Sequence, residues 1–121
     1  MDRGVEVLVA SWDEGLRGRV ALALDGDRFT VVEAATTDEA VQRVAERPPA
    51  VLLADLRLDG RGALALARAL RRQADTAGVR VLVLAEPGAE LGEDAEVVDG
   101  VLATPFTSLA LLRRLESLLG A

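Results

Sequence analysis

Five short apolar runs punctuate this chain, and the amphipathic patterns between them leave few folds open. Val5 to Ala10, Phe29 to Glu33, Val51 to Ala54 and Val79 to Ala85 are rich in β-formers and bounded by turn residues. Val97 to Leu102, broken by Asp99-Gly100, is a weaker fifth. Short apolar runs between turn signals predict strands buried on both faces. Helical patterns lie between them. Glu14 to Leu24 sets Leu16, Val20, Ala23 and Leu24 on one side, and Thr37 to Ala45 does the same with Ala40, Val41, Val44 and Ala45. Thr36 and Glu39 have the spacing of a capping box. Ala63 to Ala74 and Thr107 to Leu119 follow, with Pro105 just before the last. Pro87-Gly88 and Gly92 break Glu86 to Glu96, so a helix there is expected to be short, frayed or missing.

Strands alternating with helices imply a parallel sheet with right-handed crossovers and helices on both faces. Five such units in 121 residues predict one domain over residues 1–121. The class is α/β: a flavodoxin-like three-layer α/β/α sandwich, its five-stranded parallel sheet in order 2-1-3-4-5. Its functional edge is the rim of carboxyl strand ends, where Ser11-Trp12-Asp13, Asp55, Ala85-Glu86 and Ala103-Thr104 fall.

Composition excludes several functions. Net charge is −6, and all fourteen basic residues are Arg. That balance argues against unaided nucleic-acid binding, which needs a basic face. Without Cys or His the chain has no thiolate, no disulfide and no imidazole base or metal ligand. No apolar stretch is long enough to span a bilayer, and no amino-terminal signal is visible. The expectation is a soluble cytoplasmic protein that binds neither nucleic acid nor membrane. No nucleophile–base pair or phosphate-cradling loop stands out, and Gly60-Arg61-Gly62 is too short to be one, so an enzyme is not expected.

Asp55 closes the buried run Val51-Leu52-Leu53-Ala54, where an open α/β sheet places its chemistry. Around it the chain resembles a response regulator receiver domain, the phospho-acceptor module of two-component signalling. Val7-Leu8-Val9-Ala10 resembles that family's first strand. Arg28 to Thr36 followed by Asp38-Glu39-Ala40 resembles its second strand and helix, and Val51 to Gly60 the phosphorylated stretch. Thr104-Pro105-Phe106 resembles the Lys-Pro-Phe turn before the last helix, where the family usually has a cis peptide.

The resemblance implies a phosphorylated aspartate at Asp55, and it also shows what is missing. The two acids that hold Mg²⁺ are replaced by Ser11 and Trp12, the Thr or Ser ending the fourth strand by Ala85, and the Lys by Thr104. The aromatic switch position of the fifth strand holds Val101, and the place four residues after Asp55 holds Asp59. Phosphoryl transfer to a carboxylate needs a divalent cation and fixed positive donors. With Asp55 alone, and the Arg57 carbonyl as a backbone oxygen, Mg²⁺ is expected to bind weakly if at all. Asp13, Glu14 and Glu86 are candidate substitute acids. Ser11 and Trp12 are expected to fill the old metal site, and Trp12 could instead anchor a partner. Asp55 itself could be an acid that caps its loop by accepting backbone N–H bonds.

The expected function is an atypical receiver, or pseudo-receiver, that works by contacts with a histidine kinase or a downstream effector, with no required cofactor. Two alternatives stay open: a working phospho-acceptor at Asp55, and a small-ligand sensor at the remodelled rim. On the last helix Leu109, Leu111, Leu112, Leu115, Leu118 and Leu119 spread over about half the circumference, more than the ~100° stripe of a surface helix. Leu111, Leu115 and Leu118 are therefore either a homodimer interface or deeply buried beneath a shortened fourth helix. Arg68, Arg71 and Arg72 read as a solvated helix face.

Overall fold

The computed structural model describes residues 4–24, 26, 28–58 and 62–120. Asp59-Gly60-Arg61, singled out above, lies outside the described residues. The element order is β1 (Val5–Ala10), α1 (Glu14–Leu24), β2 (Phe29–Ala34), α2 (Thr37–Glu46), β3 (Val51–Asp55), α3 (Gly62–Arg72), β4 (Arg80–Ala85), a 3₁₀ helix (Gly92–Val97), β5 (Gly100–Ala103) and α4 (Ser108–Leu119). All four strand pairings are parallel, in the order β2-β1-β3-β4-β5. The chain therefore has the expected doubly wound sandwich.

Side-chain alternation along the strands builds two cores. Leu8, Ala10, Leu52, Ala54, Val81 and Val83 face α2 and α3, where they meet Ala40, Val44, Leu64, Ala67 and Leu70. Val7, Val9, Val51, Leu53, Leu82 and Leu84 face α1 and α4, where they meet Leu16, Val20, Leu111 and Leu115. Burial on both faces explains why β3 up to Asp55 and β4 after Arg80 read as hydrophobic runs, while β1 is interrupted by Glu6 near its start.

The helix starts follow local chemistry. The Thr36 hydroxyl accepts from Glu39 N–H at 3.1 Å, and a Glu39 carboxylate oxygen accepts from Ala35 N–H at 2.8 Å. The capping box thus forms with its return bond one residue earlier than the standard pattern. Thr107 caps α4 by accepting from Ala110 N–H at 3.0 Å. The stretch after β4 carries only a 3₁₀ turn, and Gly88 and Gly92 stand at positive φ of 83° and 61°, outside the right-handed helical region. The Thr104–Pro105 bond is cis.

Two expectations need correction. Leu111 and Leu115 are fully enclosed at 0% exposure, between α1 and the sheet, while Leu118 is partly buried against the same cluster. They belong to the core, so a homodimer cannot be built on Leu111 and Leu115, and a charge at Leu111 would disrupt the fold instead of splitting a dimer. The exposed leucine of α4 is Leu109. The arginines of α3 are also not simply solvated. Arg68 pairs with Asp94 in the 3₁₀ helix, and Arg71 donates to the carbonyls of Val97 at 3.2 Å and Ala77 at 3.0 Å, to that of Val79, and to Asp99 at 2.7 Å. These bonds fasten the segment that lacks a full helix onto α3.

Candidate functional site

Asp55 ends β3 at the carboxyl rim of the sheet, beside the ends of β1 and β4. It is 2% exposed, one of three buried polar or charged residues among those described. Its two oxygens are fully engaged. Oδ2 accepts from the Ser11 hydroxyl at 2.8 Å and from a terminal guanidinium nitrogen of Arg57 at 3.0 Å. Oδ1 accepts from the Arg57 backbone N–H at 2.9 Å and from Arg57 Nε at 3.1 Å. The side chain of Arg57 therefore forms a two-pronged, charge-assisted fork on the carboxylate. The backbone bond closes an Asx turn, so the alternative reading of Asp55 as a loop cap describes part of its geometry.

Each neighbour is fixed in turn. Ser11 follows β1, and its backbone N–H reaches the Ala34 carbonyl at 3.0 Å. Its hydroxyl accepts from Asp13 N–H at 3.0 Å, and its carbonyl accepts from Arg17 at 2.7 Å. Arg17 also pairs with Glu33 at 3.1 Å. Trp12 points outward, 55% exposed, and the Arg57 guanidinium carbon lies 5.2 Å from its ring centroid. That distance is within cation–π range. Trp12 therefore does not fill the cavity beside Asp55, as the sequence led one to expect; Ser11 does, and Trp12 roofs the arginine.

The candidate substitute acids are placed less favourably. Asp13 is occupied as the cap of α1, its Oδ1 accepting from Leu16 N–H at 3.2 Å. Glu14 is exposed in the first turn of α1, and Glu86 is exposed just after β4. On the far side of Arg57 a cleft of about 220 Å³ is lined by Leu56, Arg57, Ala85, Glu86, Ala89 and Thr104. Ala85 and Thr104 thus stand where expected, joined by a Thr104 N–H to Ala85 carbonyl bond of 2.9 Å.

The electrostatics follow from this arrangement. Burial pushes the Asp55 carboxyl up. The hydrogen bonds from the Arg57 side chain, the Arg57 backbone and Ser11, with the Arg57 charge, more than offset it and hold the carboxyl below its usual value. The fork onto Asp55 raises the Arg57 guanidinium further, against partial burial, with help from the charges of Asp55, Asp13 and Glu86.

The donor set does not suit Mg²⁺. That ion prefers six oxygens in octahedral array and usually one or two carboxylates. Here the buried carboxylate is engaged by Arg57 and Ser11, Asp13 is engaged by α1, and no cluster of three or more metal-ligating side chains occurs among the described residues.

The chain is 29% identical over 119 residues to the phosphate regulon transcriptional regulatory protein PhoB of Pseudomonas aeruginosa, covering 96% of this chain and 52% of the relative. It therefore spans about half the length of that curated relative. Its fold superposes on the chemotaxis response regulator CheY4 of Vibrio cholerae with a TM-score of 0.87 at 22% identity, covering 95% of this chain and 98% of the other. The CheY-like response regulator receiver domain of Methylobacillus flagellatus gives a TM-score of 0.84 at 19% identity, covering 95% and 98%. No family model matches the chain. The two solved structures share this chain's fold, the five-stranded parallel sheet in order 2-1-3-4-5 between helices. The aspartate at the carboxyl end of β3 is the buried acid of this rim. Sequence reasoning missed the Arg57 side chain, having used only its backbone carbonyl. The available signal was the Asp-x-Arg spacing in a loop, where an arginine two residues on can fold back over a carboxylate. No helix among the described residues is long and apolar enough to cross a membrane.

Proposed function

We propose that this chain is a response regulator receiver, a two-component signalling domain that works through protein contacts, without Mg²⁺-dependent phosphorylation of Asp55. Its partners on this reading are a histidine kinase or a downstream effector. One observation carries it: both oxygens of Asp55 are held by Arg57 and Ser11 within the chain. An attacking carboxylate needs a free oxygen, a cation to gather the phosphoryl oxygens and donors for the charge that develops. Ala85 and Thr104 bring neither a hydroxyl at the end of β4 nor an ammonium before Pro105. The names of the relatives, a transcriptional regulator and a chemotaxis regulator, favour signalling over catalysis.

The test is incubation with acetyl phosphate and Mg²⁺ followed by intact-mass analysis, with Asp55→Asn as control. The expected result is an unmodified protein. A Mg²⁺-dependent phosphoryl adduct mapped to Asp55 would establish the phospho-acceptor reading instead.

A further inference from the structure

We propose that Arg57 is a tethered counter-cation: it supplies the positive charge that buried Asp55 requires and keeps divalent ions from that carboxylate. The inference rests on the reading above and goes further, because it assigns the exclusion to one side chain. A carboxylate at 2% exposure is costly unless paired and hydrogen-bonded. Arg57 is the cation in contact with it, through Nε and a terminal nitrogen at 3.1 and 3.0 Å. Being two residues away, it meets the carboxylate as an intramolecular partner, without the cost of bringing in a separate ion. Its own backbone N–H binds the same carboxylate, so the turn that places the side chain is closed by the group it neutralises.

Trp12 is the positioning residue. Its exposed ring faces the guanidinium, with the ring centroid 5.2 Å from the guanidinium carbon. Stacking on an aromatic face suits the planar, weakly hydrated guanidinium better than a compact ammonium. Asp13 and Glu86 add an attractive field around the arginine without contacting it in the described hydrogen bonds. A divalent ion approaching Asp55 must therefore displace the fork or sit beside a fixed positive charge.

Mn²⁺ titration followed by Trp12 fluorescence tests this, since Trp12 is the chain's single tryptophan. Wild-type protein should show no saturable change. Arg57→Met keeps an apolar stem against the indole and removes the charge. It should show saturable quenching, with affinity gained about tenfold or more, because one unit of nearby repulsion is gone. Adding Asp55→Asn to Arg57→Met should abolish the response. Arg57→Gln is a second probe of the same charge, and circular dichroism confirms folding of each variant. Equal titrations of wild type and both folded Arg57 variants, or quenching that survives loss of Asp55, would overturn the assignment. These outcomes are separate from acetyl phosphate labelling: an adduct on wild-type Asp55 sinks the functional reading, while the Mn²⁺ comparison decides the role of Arg57.

Discussion

Asp55 and Asp99 are both gripped by arginines, at opposite ends of the parallel sheet. Asp99 precedes β5. Its Oδ2 accepts from Arg71 at 2.7 Å and from Val81 N–H at 2.7 Å, while its own N–H reaches the Val81 carbonyl at 2.8 Å. Its arginine comes from 28 residues away and fastens the edge strand to α3. The arginine on Asp55 comes from two residues away and fastens only its own loop. Asp55 is nonetheless the more deeply buried side chain, at 2% against 25% for Asp99. A long-range grip on a partly exposed acid holds tertiary structure. A local grip on a buried acid manages charge.

If that contrast is right, removing the two arginines should have unequal consequences. Arg71→Ala should be the more destabilising, by about 2–3 kcal/mol, because several carbonyls and Asp99 lose a donor at once. Chemical denaturation would measure it, and amide exchange should quicken in the 3₁₀ helix and β5. Arg57→Met should cost less, about 1–2 kcal/mol at neutral pH, because the lost guanidinium is half exposed and Asp55 keeps its bonds from the Ser11 hydroxyl and the residue-57 backbone N–H. Equal losses would erase the distinction.

Acid sharpens it further. The folded carboxyl of Asp55 lies below its ordinary value of 3.8. Its contribution is therefore complete above that value and is lost as pH falls through the lower, folded value. Wild type should be more stable than Asp55→Asn at neutral pH, and the gap should close on acidification, as read from urea midpoints across the range. A gap that stays constant would show that charge is not what Asp55 contributes. The smallest effect should come from Trp12→Ala, about 0.5–1 kcal/mol for the stacked arginine.

The fold was legible because its signals are local and repeated. Continuous apolar β3 and β4 told of strands buried on both sides, and Pro87, Gly88 and Gly92 told of the failed helix. Leu111 and Leu115 were harder. A wide leucine arc fits either a partner or a deep core, and only packing against Leu16, Val20 and Leu84 decides between them. In the site, Asp55, Ser11, Ala85 and Thr104 could be placed by strand ends alone. Where Trp12 and Arg57 point could not, because loop side chains have no period to read. The arginines of α3 looked solvated for the same reason: their acceptors lie in segments that contribute nothing to a helical wheel.

A crystal structure grown at neutral pH with Mg²⁺ and beryllofluoride tests the central claim most directly. The account predicts the Arg57 fork still seated on Asp55, with Ser11 as its companion and neither ion at the carboxylate. Beryllofluoride bonded to an Asp55 oxygen beside an ordered Mg²⁺, with Arg57 turned away, would contradict it.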